Sequence, residues 1–403
     1  MSKKVTFFGE RLKRARQFRG LTLTDLALKT GISKQSLSLY ENGTNFPDLE
    51  KILSLSQQLA FPYLHFFVQD TYQARTEATY FRSLLSVKKK ERTAQSMKLE
   101  FAAQIFEVLC EYIDFRPLNL PHVDFDGGNE GYTYENENEA TEIEEITKNL
   151  RDYWKTGCDS ITDLKYLLEL NGILVMCLDS NTDKIDAFSQ KTVINNGDVF
   201  IIAISKTGQS IARSRFDMAH ELGHILLHPW SEDLETISKE EFKARERQAN
   251  LFASSFLLPK ESFGIDVAHY PTNLEYYEFL KTKWNVSIQA MIYRTHQLGI
   301  ISSNQYQYLM RQISKKGWRD QEPNDKAYLI TDNLLESAVS LLINENELTG
   351  EAFVDRLKSQ GIVMREEEIE ELLSLKPGTL TSKEKEPAVL LQLKGSFNED
   401  SLN

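Results

Sequence analysis

Three histidines fall within nine residues of the stretch RSRFDMAHELGHILLHP (213–229), at positions 220, 224 and 228, with Glu221 directly after the first. Phe216, Met218, Ala219, Leu222, Ile225, Leu226 and Leu227 surround them, and this apolar density predicts a mostly buried helix. On a helix, residues four apart share a face. His220 and His224 can therefore grip one ion while Glu221 projects beside them. The pattern is His-Glu-x-x-His, two imidazole ligands for zinc and a carboxylate base for the water the ion activates. A catalytic zinc has three protein ligands and one open position, so a third ligand must come from elsewhere. A histidine six residues after His224 is excluded, because that position is Trp230. His228 lies one turn further on, about 6 Å from a shared ion on a straight helix. It is better placed to support a ligand from behind, or to face the surface, than to bind the ion.

A carboxylate is the alternative. SKEEFKARERQANLFASSFLLP (238–259) reads as an amphipathic helix. An inward glutamate from it, packed against the histidine helix, would complete a His-His-Glu set. Glu246 and Asn250 lie one turn apart on one face, but the pattern alone does not choose Glu246 over Glu241.

Together, FDMAHELGHILLHP and ERQANLFASSFLLP resemble the ImmA/IrrE family of zinc metallopeptidases, which pairs H-E-x-x-H with a downstream E-x-x-A-N-x-F-A helix ending near L-x-x-P. The resemblance implies His220, His224 and Glu246 as metal ligands, Glu221 as the catalytic base, and a supporting role for Asn250. It implies zinc, with manganese as the alternative for such a ligand set, and a repressor protein as the substrate. ITDLKYLLELNGILVMCLD resembles the helix and strand that open this domain. KIDAFSQ and GDVFIIAISK resemble two further strands, the apolar VFIIAI suiting a buried one. The strand just before the histidine helix is expected to wall the substrate cleft, where an extended peptide could add to it. No residue declares itself as donor to a developing oxyanion; Arg213, Arg215 and several tyrosines are candidates.

These elements sit behind a different kind of unit. The first 45 residues carry nine Lys or Arg against three acids, although the whole chain of 403 residues has a net charge of -12. Phe8, Leu12 and Ala15 recur at helical spacing, and Gly20 ends that helix. Thr22 can cap LTDLALK, Gly31 suits the tight turn that follows, and Ser33 can cap KQSLSLYENG. Pro47 is expected to open a fourth helix. Two short helices joined by a glycine-containing turn make a helix-turn-helix. Its second helix would place Lys34, Gln35, Ser36 and Ser38 at the major groove, beside Thr22 and Ser33. Residues 8–66 resemble the Cro/repressor (Xre) family, which implies a double-stranded DNA operator and binding as a homodimer.

The expected fold is multidomain, α plus α+β. An all-α helix-turn-helix bundle (1–66) leads to a helical connector and acidic linker (67–140). A zincin-like metallopeptidase domain with a small sheet (141–265) follows, then a helix-turn-helix-like unit (266–322) and a helical region with a polar tail (323–403). No apolar run is long enough to cross a membrane. Three scattered cysteines form neither a metal pair nor a disulfide framework, and a cytoplasmic location is expected. The functional expectation is a DNA-binding regulator carrying a zinc endopeptidase. The alternative is a regulator or antitoxin-like protein whose peptidase fold senses or scaffolds without turnover.

Overall fold

The computed structural model describes residues 6–69, 75–81, 87–125, 137–178, 186–194, 197–205, 210–230, 237–325 and 333–381. The centre of the acidic stretch and the expected polar tail lie outside the described residues.

Four helices open the chain: α1 (Gly9–Phe18), α2 (Leu23–Thr30), α3 (Lys34–Glu41) and α4 (Leu49–Leu59). Local chemistry sets their ends. Thr22 Oγ1 accepts from the Asp25 N–H while the Asp25 carboxylate accepts from the Thr22 N–H, closing a capping box. Gly31 takes the left-handed φ of 70° at the turn, and Ser33 caps α3 by accepting from Ser36 N–H. Asp48, rather than Pro47, caps α4 by accepting from Lys51 N–H; the proline sits one residue outside. Gly9 allows α1 to abut the end of α3, since a Cβ there would lie 2.0 Å from the Tyr40 carbonyl oxygen.

The chain then forms β1 (Arg75–Phe81) and the 21-residue α5 (Lys89–Leu109). Next come α6 (Glu137–Tyr153), α7 (Leu164–Leu170), β2 (Leu174–Leu178), β3 (Ala187–Ile194), β4 (Gly197–Ser205), α8 (Ile211–Leu227) and α9 (Lys239–Leu257). Helices α10 (Lys260–Ala268), α11 (Leu274–Trp284), α12 (Ile288–Gln297) and α13 (Ser303–Lys316) follow, and α14 (Leu334–Asn344), α15 (Gly350–Ser359) and α16 (Glu366–Leu373) complete the helices and strands among the described residues. No described helix is long and apolar enough to cross a membrane.

The four strands form one sheet in the order β1-β3-β4-β2. β1/β3 and β3/β4 are antiparallel and β2/β4 is parallel. Alternation divides the sheet between two cores. Leu174, Met176, Ile201 and Ala203 join the core that contains α5 and the N-terminal helices. Val175, Cys177, Ile202 and Ile204 join the core of α8 and α9. β4 (Gly197–Ser205) lies between β3 and, over Ile201–Ser205, β2, so no peptide can add to it along Ile201–Ser205, and the expectation of strand addition is overturned there. Strand β1 lies in the stretch read as a helical connector. Its partner β3 is more than a hundred residues away, and seven residues of threonine and aromatic character carry too little periodicity to reveal that pairing.

Helix α5 is buried on nearly every side, which suits a helix packed between layers. Phe101 lies edge-on to Phe18 at 5.4 Å, and Arg14 pairs with Glu100 at 2.6 Å. On the sheet side, Ser96 Oγ donates to Gln190. The C-terminal helices close around the same axis: Arg19, just past the end of α1, forks onto Glu368 of α16, at 2.6 and 2.8 Å.

His65 is fully buried at this junction, against Phe61 and Phe66, with Nδ1 2.9 Å from the Val363 carbonyl oxygen. Burial, with the Arg11 charge, holds its pKa down at about 3. The folded state thus keeps His65 neutral while the unfolded chain binds a proton below about pH 6.5. Its contribution is complete above pH 6.5 and is lost as pH falls toward 3. Comparing urea unfolding of the parent and His65→Phe across pH 4 to 6 should show a steeper decline in the parent, by about 1.4 kcal/mol per pH unit. Parallel curves would contradict this.

Candidate metal centre

Helices α8 and α9 cross closely because small residues meet. A Cβ on Gly223 would lie 3.2 Å from the Ala249 Cα and 3.1 Å from Phe252. That approach brings Glu246 over the two imidazoles. His220 Nε2 and His224 Nε2 are 3.0 Å apart, and the Glu246 carboxylate lies 3.5 and 3.3 Å from them. A tetrahedral ion with metal–ligand bonds of about 2.1 Å sets its ligand atoms about 3.4 Å apart. The three edges of this triangle match that spacing, and the chemistry of the set, two imidazoles and a carboxylate, suits a divalent ion. Glu241, the rival on pattern alone, instead pairs with Arg245.

Both histidines are essentially inaccessible, whereas 16% of the Glu246 side chain is exposed. Burial lowers the pKa of His224 to about 4, only partly opposed by its hydrogen bond to Glu246. Burial pushes Glu246 upward, but hydrogen bonds and charge from His220 and His224 outweigh it and hold the carboxyl at about 2. Near neutral pH His224 is thus a neutral imidazole and Glu246 a carboxylate, the form in which each is a ligand.

The outer ring nitrogens are also held. Asn250 Oδ1 lies 3.1 Å from His220 Nδ1 and fixes that nitrogen as the N–H donor. For His224 the constraint runs further. Gln248 Nε2 donates to Glu139 at 3.1 Å, so Gln248 Oε1 is left to accept from His228 Nε2 at 3.0 Å. Burial drives the His228 pKa well down, so the ring is neutral and its Nδ1 is an acceptor. That Nδ1 lies 2.9 Å from His224 Nδ1, which must donate. A carboxylate on α6 thus sets, through an amide and an imidazole, the tautomer that turns the His224 Nε2 lone pair inward. His228 can do this because α8 ends at Leu227 and His228 takes an extended backbone that turns its ring back.

Glu221 is fully buried and its Oε2 accepts from Ser189 Oγ of β3 at 2.6 Å. Opposite Ser189 in the ladder stands Tyr80 of β1. Its ring stacks on His224 at 4.8 Å and on His228 at 5.9 Å. Its hydroxyl donates to the Pro229 carbonyl and accepts from Arg245, pinning the end of α8. Of the oxyanion candidates, Arg215 is occupied by the Ile161 and Thr162 carbonyls and Arg213 pairs with Asp186.

Comparison with known proteins locates two domains in the chain. Residues 168–296 match the IrrE N-terminal-like domain, a peptidase family, and residues 9–67 match a helix-turn-helix domain. The chain is a fusion of the two. No curated protein matches it. A crystal structure of Bacillus thuringiensis PlcR, in complex with the peptide PapR7 and DNA, is 13% identical over 90% of each chain, with a TM-score of 0.15.

In the IrrE-like domain, the sequence-predicted His220, Glu221, His224, His228, Glu246 and Asn250 come together. Tyr80 and Glu139 lie outside the matched segment and were not foreseen; nothing in their surroundings in sequence marks them. Gln248 and Ser189 lie within it but have no spacing signal. In the helix-turn-helix domain, Lys34 and Gln35 are exposed on the first turn of α3, and Ser38 is half-buried. Thr22 and Ser33 spend their hydroxyls on helix caps, and Ser36 Oγ lies 2.9 Å from Ser33 Oγ.

Removing an outer partner should loosen the inner ligand. Asn250→Ala, Gln248→Leu and Tyr80→Ala are each expected to weaken divalent-ion affinity by about 10- to 100-fold, with the fold retained by circular dichroism. Competition with a chromophoric chelator measures it, and unchanged affinity in all three would refute the supporting roles.

Proposed function

We propose that the chain is a DNA-binding transcriptional regulator carrying a zinc-dependent endopeptidase that cleaves a repressor protein. The observation that carries the enzymatic half is the triangle of His220, His224 and Glu246 with Glu221 on the same helix. A set that merely scaffolded would have no use for a buried carboxylate beside the ligands. This favours turnover over the reading as a sensor or antitoxin-like partner. Zinc, with manganese as the alternative, would be held by the two Nε2 atoms and the Glu246 carboxylate, and when bound supplies Lewis acidity toward a scissile carbonyl and a water. Glu221 takes a proton from the attacking water on a carboxylate oxygen and returns it to the leaving amine. Ser189 orients that carboxylate through Oε2. Asn250, His228 and Tyr80 keep the imidazoles in the binding tautomer and plane.

The DNA-binding half rests on the helix-turn-helix domain. Lys34 and Gln35 project from the first turn of α3, where a major-groove helix meets base edges. Binding as a homodimer is supported by exposed Phe46, Leu49 and Leu53, three large apolar side chains within eight residues. A cytoplasmic location follows from the DNA partner. The repressor substrate follows from the resemblance to ImmA/IrrE peptidases and from the fusion itself, since a DNA-tethered peptidase works beside DNA-bound proteins.

Two experiments test the halves separately. Elemental analysis should give one zinc per chain, lost in His220→Ala and Glu246→Gln. Glu221→Gln should retain zinc while losing hydrolysis of a repressor substrate by at least 100-fold. A parent that takes up no metal after zinc is supplied would defeat the enzyme reading. For DNA, Lys34→Ala should reduce the salt slope of binding by about 1, and Gln35→Ala should relax discrimination at one base pair by about 1–3 kcal/mol; an unaltered slope and specificity would remove these residues from the interface.

A further inference from the structure

The segment α11–turn–α12 has the outline of a second helix-turn-helix, with Asn285 in the left-handed region at the turn and Ser287 capping α12. Its surroundings are wrong for DNA. Glu322 covers the N-terminus of α12, its carboxylate accepting from the N–H groups of Ile288 and Gln289 at 2.7 and 3.0 Å. Lys281 holds that carboxylate in place at 2.9 Å. The end of the helix that would meet base edges and phosphates is thus already filled by an anion.

What α12 does present, it presents to the metal centre. A cleft of about 980 Å³ runs along one face of α9, between α6 and the pair α12 and α13. Glu246 and Asn250 lie on its wall, so it reaches the ion-binding set from the side on which Glu246 is exposed. The charged pairs that line it are spent on each other. Arg294 forks onto Glu144, with Nη2 to Oε2 at 2.8 Å, and Arg247 pairs with Glu139 at 3.3 Å. Besides Glu246 of the metal set and the exposed Lys243, what remains for a ligand is mainly ring and aliphatic surface: Phe216, Leu251, Tyr293 and Tyr306. Tyr293 is 42% exposed, and its ring centroid lies 6.3 Å from that of Tyr306.

We propose that α12 and α13 form a specificity wall of the peptidase cleft and seat a bulky uncharged side chain, aromatic or large aliphatic, of the peptide substrate. The proposal rests on the peptidase reading for the nature of its ligand. A charged side chain laid on these rings would give up its water for apolar contact. A small one would leave the Tyr293 and Tyr306 rings uncovered. Clefts of this size, mostly apolar with a few fixed polar groups, are the usual form of a ligand site.

The test is binding rather than turnover. Full-length, zinc-supplied Glu221→Gln protein is titrated by fluorescence anisotropy with two fluorescein-labelled octapeptides of glycine and serine, differing only in a central Phe or Asp. The Phe peptide should bind at least tenfold tighter, as expected for burying one aromatic side chain. Adding Tyr293→Ser and Tyr306→Ser should collapse the ratio to about twofold, while Tyr293→Phe alone should preserve it. Equal affinities for the two peptides, or an undiminished ratio in the double variant, would overturn the proposal. So would a fall in duplex-DNA affinity in the double variant with the peptide ratio intact, which assigns the unit to DNA. Hydrolysis failing in the parent while the peptide ratio persists would strike the enzymatic reading and leave the cleft assignment standing.

Discussion

The structure turns on the cost of taking two imidazoles and a carboxylate out of water within 3.5 Å of one another. A buried charge without partners is expensive, and buried polar groups half-satisfied are worse than an apolar core. The chain meets this by giving each ring nitrogen of the set a partner. Helix α9 supplies Glu246, Asn250 and Gln248, helix α6 supplies Glu139 behind Gln248, and the end of α8 supplies His228. Each bond also fixes a tautomer, so the polarity of the network points toward the space between His220, His224 and Glu246. The close crossing at Gly223 follows from the same need, because a wider interhelical distance would lift Glu246 out of reach.

The demand spreads outward through the sheet. Glu221 must lie beside the two histidines yet stay oriented, and Ser189 on β3 provides the hydroxyl. Tyr80 on β1, directly across from Ser189, covers the far side of His224 and His228. Strand β1 is reached from the helix-turn-helix bundle, and α5, which follows β1, packs against that bundle on one side and the sheet on the other. The DNA-binding domain and the metal centre are therefore not beads on a flexible string. The bundle and one face of the sheet share the core around α5, the metal centre lies in the core on the other face, and the segment joining them contributes a side chain to the centre.

What the sequence made legible follows from range. The helix caps at Thr22 and Ser33, the left-handed Gly31 and the His-Glu-x-x-His face are decided within four or five residues, and each is found in place. Glu246 and Asn250 needed a second signal, the resemblance to a two-motif family, since periodicity left Glu241 equally available. The structure separates them by partner: Glu241 faces Arg245 and Glu246 faces the histidines. The rest is long-range. Tyr80 is one of sixteen tyrosines, Glu139 sits among acids that read as a linker, and Gln248 lies on a face the helical pattern does not distinguish. Their roles arise only when β1 pairs with β3 and α6 lies along α9. Strand addition to β4 failed for a related reason: an apolar run identifies a buried strand, but not whether both of its edges are taken.

The helix-turn-helix outline recurs twice in this chain, and the contrast between the two instances shows what the outline does and does not determine. In the first, α3, the helix proposed to enter the groove, begins with exposed Lys34 and Gln35, in a region rich in Lys and Arg, and its cap is the neutral hydroxyl of Ser33. In the second, the corresponding end is closed by Glu322, itself tied to Lys281, and the exposed rings of α12 face a cleft instead of solvent. Caps, turn and apolar pattern are what two short helices need in order to pack at an angle, and they are equally good in both places. DNA binding requires in addition that the leading turn be free and cationic. The same two-helix corner, with that turn filled by a carboxylate, instead lines a cleft beside the metal centre, the wall proposed above to seat a peptide side chain.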